Sequence, residues 1–236
     1  KVVPLNIELY DRQRILVISG PNAGGKSVCL MTVGLLQYTL QCGLPVSMDK
    51  DSKMGIFSNI FIDIGDEQSL ENDLSTYSSH LLNIKHFVEN LDQKSLFLID
   101  EFGAGTEPQL GGAIAESVLE VLNSLKSYGV ITTHYANLKI IADELDGVVN
   151  GAMLFDSKNL EPLYQLKMGK PGSSFAFEIA EHIGFPKDIL REAAKKTGST
   201  QLDFEKQLQQ LEVDKLELEK QKNNIKVADD FLSEMI

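Results

Sequence analysis

Three strings of residues in this chain have the types and spacing needed to handle a triphosphate. The first is Gly20-Pro21-Asn22-Ala23-Gly24-Gly25-Lys26-Ser27, which fits GxxxxGK[ST]. Glycines so spaced let successive backbone N–H groups curl around phosphate oxygens, and a helix beginning at Lys26 aims its positive end at the same point. Lys26 then supplies a point charge to the β- and γ-phosphates of ATP. The Ser27 hydroxyl supplies a ligand to Mg²⁺ bridging those groups, and Val28 closes the segment expected to line the nucleotide.

The second string, Ser95-Leu96-Phe97-Leu98-Ile99-Asp100-Glu101, is an apolar run that ends in two carboxylates. Open α/β sheets bind ligands at the carboxyl ends of their strands. There Asp100 can join the Mg²⁺ shell, and Glu101 can orient and deprotonate an attacking water. The third string, Thr132-Thr133-His134-Tyr135, ends another apolar run. His134 either donates a hydrogen bond to the γ-phosphate or is a satisfied polar group, and these residues alone leave both open. His80 and His86 lie six apart, on different sides of a predicted helix, and His182 is isolated, so no zinc site is expected.

To bring the three strings together the chain must alternate strands with helices. Apolar and β-branched runs at Arg14–Ser19, Ser58–Ile62, Ser95–Asp100 and Val130–Thr133 read as strands. Helical periodicity covers Lys26–Gln41, Tyr77–Glu89, Gln109–Lys126 and Asn137–Glu144. This order predicts an α/β fold of the P-loop NTPase type with a mostly parallel sheet. On Gln109–Lys126 the residues Ile114, Val118, Val121, Leu122 and Leu125 share a face, which is expected to pack on the core, and Pro108 suits the first turn. Val148–Phe155 and Glu161–Lys167 read as a hairpin at the sheet edge.

A first domain is therefore expected over residues 1–168. Gly169-Lys170-Pro171-Gly172 breaks the pattern. Two short amphipathic helices, Phe175–Ile183 and Lys187–Lys196, then flank Gly184-Phe185-Pro186, a helix–turn–helix shape over 169–198 that reads as a packing or dimer element rather than a DNA reader. In 199–236, Phe204, Leu211, Leu218, Ile225 and Leu232 recur at sevens, with Leu208 and Ile236 at the second seam position and Lys215, Lys222 and Asp229 at its other places. Such a half-polar seam is either the start of a coiled-coil connector that needs a partner or a solvated single helix.

Composition sets further bounds. A net charge of −12 has the wrong sign for neutralising phosphates along a duplex, so any nucleic-acid contact is expected to come chiefly from elsewhere in the assembly. The two cysteines, Cys29 and Cys42, fall thirteen apart in one predicted helix, roughly 20 Å at 1.5 Å per residue, too far to pair. No apolar run approaches the roughly 20 residues of a membrane span and no signal-peptide pattern opens the chain, so a cytoplasmic protein with no membrane partner is expected.

The order Gly-Pro-Asn-x-Gly-Gly-Lys-Ser, then Leu74-Ser75-Thr76, then Leu98-Ile99-Asp100-Glu101-Phe102-Gly103-Ala104-Gly105-Thr106, then Thr133-His134-Tyr135, resembles the ATPase domain of the MutS family within the ABC ATPase superfamily. The resemblance runs from Val2 to about Lys196. Asp100 through Pro108 and Lys170 through Ile179 look most like the bacterial second branch of the family, which lacks mismatch-reading domains and carries a long coiled-coil connector and a C-terminal Smr nuclease domain. An Smr domain is not present in these residues.

That resemblance implies a homodimer with two composite ATP sites. Ser75 and Thr76 match the signature element that contacts the γ-phosphate held by the other subunit. Asn22 matches the P-loop asparagine, Gly103 to Thr106 the loop that crosses the dimer interface, and His134 the switch histidine. The helices from Phe175 onward match the dimerisation element. Phe102 replaces the more usual leucine, and Val2 and Val3 stand where a family member offers an aromatic to adenine. The implied function is an ATP-gated clamp on branched or recombination-intermediate DNA held through other domains, in recombination control and repair. The alternative cargo in that branch is the stalled or collided ribosome, and these residues do not choose between them. A transporter subunit is disfavoured because Leu74-Ser75-Thr76 replaces Leu-Ser-Gly-Gly-Gln. A GTPase is disfavoured because the Asn-Lys-x-Asp guanine reader is missing, a kinase does not need Glu101 beside Asp100, and a dead scaffold would not keep Lys26, Ser27, Asp100 and Glu101.

Overall fold

The computed structural model describes residues 2–65, 76–156, 159, 161–197, 206–210, 214 and 225. The chain divides into two compact units, Lys1–Pro171 and Gly172–Ile236. The first holds β1 (Gln13–Ser19), α1 (Lys26–Gln41), β2 (Asn59–Asp63), α2 (Thr76–Asn90), β3 (Ser95–Ile99), α3 (Pro108–Ser124), β4 (Tyr128–Thr132), α4 (Ala136–Glu144), β5 (Gly147–Asp156) and β6 (Glu161–Met168).

These six strands make one sheet in the order β2-β3-β4-β1-β5-β6. The first five are parallel and β6 closes the edge antiparallel to β5. Parallel strands buried on both faces need apolar residues at every position. Accordingly β3 is buried throughout, as is Ile15–Ser19 of β1. Alternate residues serve opposite cores. Ile15, Val17, Phe97, Ile99 and Ile131 pack with α2, α3 and α4, whereas Leu16, Ile18, Leu96, Leu98 and Val130 pack with Cys29 and Leu30 of α1. Each such side chain is worth roughly 1.5–3 kcal/mol on burial, so the strand ends that follow are held by rigid stems. In register, Ile18 pairs with Thr132 and Ile99 with Ile131, which brings the carboxyl ends of β1, β4 and β3 side by side.

The expected α3 face holds in part: Leu122 is buried and Val118 and Leu125 pack against the core, but Ile114 and Val121 are 42% and 41% exposed, and Gly111, Gly112, Ala115 and Leu119 complete the buried face. The cause lies in the neighbouring loop and helix: a side chain at Gly111 would strike the Gly103 carbonyl, and one at Gly112 would press on Asn137. Small residues therefore face inward over the first turns to let α3 approach, and Leu119 and Leu122 fill the core further along. Glu107 caps the helix by accepting from Gln109 N and Leu110 N at 3.1 and 2.9 Å, with Pro108 in the first turn.

The second unit contains α5 (Ala176–His182) and α6 (Lys187–Thr197), joined through Gly184. α6 carries Lys187, Arg191, Lys195 and Lys196 against Asp188 and Glu192, so its charge alone does not separate it from a DNA-reading helix. Two of those cations are paired, Lys187 with Glu181 at 3.1 Å and Lys195 with Glu192 at 2.5 Å. Of the heptad positions, Phe204, Leu211, Leu218, Leu232 and Ile236 lie outside the described residues, while Leu208 sits in a helical stretch at 206–210.

Candidate nucleotide site

The phosphate loop follows β1 without a break. Pro21 leads into a single 3-10 turn over Asn22–Gly24, closed by Gly24 N donating to Pro21 O at 2.9 Å. Gly25 then takes φ +91°, a left-handed conformation that costs a side-chain-bearing residue roughly 1–2 kcal/mol. That kink turns the chain into α1, which begins at Lys26. Ser27 is half-buried on the first turn and Val28 is exposed beside it.

Lys26 is only 4% exposed, and its ammonium donates to Gly20 O at 2.9 Å, Pro21 O at 3.1 Å and Asn22 Oδ1 at 3.1 Å. The lysine thus lies along the concave side of its own loop, held by the carbonyls and by the Asn22 side chain. Burial lowers its pKa, opposed by the nearby Glu101 and Asp100 carboxylates. Those attractions place both acids within electrostatic reach of the phosphate loop.

Asp100 and Glu101 are fixed by β4. The Thr132 hydroxyl donates to the Asp100 carboxylate and accepts from Glu101 N at 2.8 Å. Phe102 N donates to Thr132 O at 2.9 Å, and Thr133 N donates to Ile18 O at 3.0 Å, which stitches the ends of β3, β4 and β1 together. Glu101 has φ +46°, an uncommon value for a residue with a side chain, and its carboxylate is exposed while Phe102 is buried beneath it. The strand end therefore presents the acid outward on an anchored backbone.

His134 follows Thr133 and packs against Tyr135, with ring centroids 4.5 Å apart and planes tilted by 42°. Partial burial lowers its pKa; Glu101 opposes this, and the cations Lys26 and Lys139 add to it. His134 is thereby drawn into the same electrostatic group as Lys26 and Glu101. Ala23 occupies the loop's 3-10 turn. Thr76 is the first residue of α2, and Ser75 lies outside the described residues.

Two residues near the loop had no signal in the three motifs. Tyr164 of β6 has φ +53° and is half-exposed, and a Cβ placed on Gly25 would lie 2.9 Å from its Cδ1. Only the sheet order, with β6 beside β5 and β5 beside β1, puts this ring at the phosphate loop. Lys139 of α4 is 2% exposed, and it acts on both Lys26 and His134. Its only hint in sequence was a lysine on the face of a helix that otherwise buries Leu138 and Ala142. Val2, where an aromatic was sought, is 91% exposed.

The donor set suits Mg²⁺. Ser27 and Asp100 offer one hydroxyl and one carboxylate, hard oxygen ligands of the kind that hold Mg²⁺ together with phosphates and water. Among the described residues no three His, Cys, Asp or Glu side chains gather into an all-protein metal cage. His80 Nδ1 meets Asp63 Oδ2 at 2.7 Å, and the His86 ring lies 5.8 Å from that of Phe61, tilted by 57°. No helix of the described residues is long and apolar enough to cross a membrane.

Comparison with known proteins points the same way. The family described as MutS domain V matches residues 16–201. The chain is 43% identical over 233 residues to a protein named Endonuclease MutS2 from Finegoldia magna, covering 98% of this chain and 30% of that one. It is 47% identical over 211 residues to the Endonuclease MutS2 of Streptococcus sanguinis (89% and 27%), and 46% over 197 residues to that of Thermomicrobium roseum (84% and 25%). The chain spans under a third of the length of these curated relatives.

Proposed function

Because this chain belongs to the MutS family, in its MutS2 branch, and forms the P-loop ATPase module of that family, we propose that it hydrolyses ATP at two sites completed by a second copy of itself. The supporting observation is the convergence of Lys26, Asp100, Glu101 and His134 at the adjoining ends of β1, β3 and β4. In this reading Gly20 through Val28 wrap the phosphates, the N–H groups from Asn22 onward donate to their oxygens, and Lys26 exchanges its loop carbonyls for phosphate oxygens. Ser27 and Asp100 hold Mg²⁺, which when bound neutralises charge on the β- and γ-phosphates. Glu101 accepts a proton from the attacking water, and neutral His134 donates a hydrogen bond toward the γ-phosphate. Tyr164, beside Gly25, offers the adenine a ring that Val2 and Val3 do not.

Ser75 and Thr76 complete the site on the partner subunit, so ATP binds the closed dimer better than the open one and hydrolysis releases it. The paired helices α5 and α6 serve as the dimer element and residues 199–236 as the start of a coiled-coil lever. The name endonuclease borne by the relatives supports nucleic acid as what the clamp holds, in DNA recombination or repair, through parts of the protein outside this chain. The decisive experiment is Glu101→Gln in the presence of ATP and Mg²⁺, followed by light scattering. A stable dimer with turnover reduced at least 100-fold is expected, on the scale general-base catalysis supplies; a variant that stays monomeric rejects the composite site.

A further inference from the structure

We propose that Asp63, which belongs to none of the three motifs, is a positioning residue that ties α2 to the strand end carrying Asp100 and Glu101. The proposal rests on the dimeric ATP site described above. Asp63 ends the edge strand β2 and is only 4% exposed. Its carboxylate meets His80 Nδ1 at 2.7 Å and accepts from Asn83 Nδ2 at 2.9 Å, two side chains one turn apart on α2. Its main-chain carbonyl accepts from Asp100 N at 2.9 Å. A single residue therefore bonds the helix that begins at Thr76 and the segment that carries the hydrolytic acids.

A second contact runs alongside. Gly105, with φ +94°, lies so close to α2 that an added Cβ would stand 3.2 Å from Tyr77 Cβ and 3.4 Å from Tyr77 Cα. The loop after Glu101 thus rests on the first turn of the helix.

Buried carboxylates are expensive unless fully bonded, and apolar contacts hold a helix on a sheet at less cost, as Phe61 and Phe87 do here with centroids 5.3 Å apart. Apolar packing tolerates small rotations of a helix about its axis. Two directional hydrogen bonds to residues 80 and 83 do not. The carboxylate fixes the angular setting of α2, and with it the setting of the helix end offered to the partner's nucleotide, relative to the acids that act on the protomer's own nucleotide. Asp63 thereby links the half-site a protomer gives with the half-site it keeps.

The test uses the full chain with ATP and Mg²⁺. Asp63→Ala is expected to lower kcat about tenfold or more, the usual effect of losing a residue that orients a ligand from behind, with KM moved less than about threefold. Asp63→Asn, which keeps an oxygen for Asn83 and a polar group for His80, is expected to recover most of that loss. An unchanged kcat in Asp63→Ala with only a lower Tm overturns the proposal. If Asp63→Ala does not fold, Asn83→Ala removes one arm of the clamp and is read the same way.

Mixed dimers separate the two directions. When one subunit carries Glu101→Gln, the surviving turnover occurs on the unmodified subunit and uses the α2 end of the Glu101→Gln subunit. Adding Asp63→Ala to the Glu101→Gln subunit is expected to slow that surviving turnover about tenfold. Equal rates with and without Asp63→Ala overturn the linkage alone. Failure of any nucleotide-dependent dimer to form overturns both it and the composite site.

Discussion

Lys26→Met separates the electrostatics of the phosphate loop from its stability. In the folded chain the Lys26 ammonium has three acceptors, Gly20 O, Pro21 O and Asn22 Oδ1, and is 4% exposed. Methionine fills much of the same volume but leaves two buried carbonyls without this donor, each costing about 1–3 kcal/mol if unmet. Against that cost, the substitution removes a buried cation whose pKa is lowered by desolvation. A lowered lysine pKa means that the unfolded chain holds this proton more tightly, so the penalty is full below the lowered value and fades as the pH climbs to the ordinary value near 10.5. The two effects oppose each other, and at neutral pH the variant is expected to melt within about 4 °C of the parent, about 1 kcal/mol for a domain of this size. ATP affinity behaves otherwise. Loss of a charge-assisted hydrogen bond to phosphate costs about 2–3 kcal/mol with nothing to offset it, which is roughly 30- to 150-fold in Kd. Calorimetric titration of ATP into the variant, beside thermal melts without nucleotide, measures both. Unchanged ATP affinity, or a melting temperature down by 10 °C or more, refutes the argument that this lysine is held for a ligand rather than for the fold.

The remaining expectations are narrower. Gly25→Ala forces a side chain into φ +91° and to 2.9 Å from Tyr164; a loss of about 1–2 kcal/mol in unfolding free energy is expected from denaturant titration, with weaker ATP binding. For His134, whose folded pKa is lowered chiefly by burial, the stability it contributes is complete above the ordinary histidine value near 6.5 and is lost as the pH falls through the lowered folded value. Melts of the parent should therefore drop more steeply on the acid side than those of His134→Asn, and parallel curves would count against that sign. Tyr164→Ala should raise the KM for ATP and narrow its advantage over other nucleoside triphosphates, whereas an unmoved base preference would remove Tyr164 from the base site.

The residues proposed to handle phosphate were legible because their chemistry is local. A loop that wraps phosphate needs glycines, a lysine and a hydroxyl at fixed spacing, and acids at a strand end follow an apolar run that burial on both faces demands. Strand and helix order was legible for the same reason, since the period of apolar residues reports which faces are covered, and boundaries moved by only a residue or two, as at β4, which runs Tyr128–Thr132 rather than Val130–Thr133. The α3 face was read only in part: Leu122 is buried as expected, but periodicity counts bulk, and the close approach to Gly103 and Asn137 puts Gly111 and Gly112 inward instead.

What the chain could not disclose by itself were contacts between residues far apart in sequence whose types carry no signal. Tyr164 reaches Gly25 only because β6 lies two strands from β1. Lys139 joins Lys26 only because α4 packs against the strand ends, and Asp63 meets His80, Asn83 and Asp100 only because β2 is placed at the edge beside β3. Sequence specifies which groups are available and which local shapes they favour. The pairing of strands, a sum of many weak burial energies over the whole sheet, decides which of those groups meet.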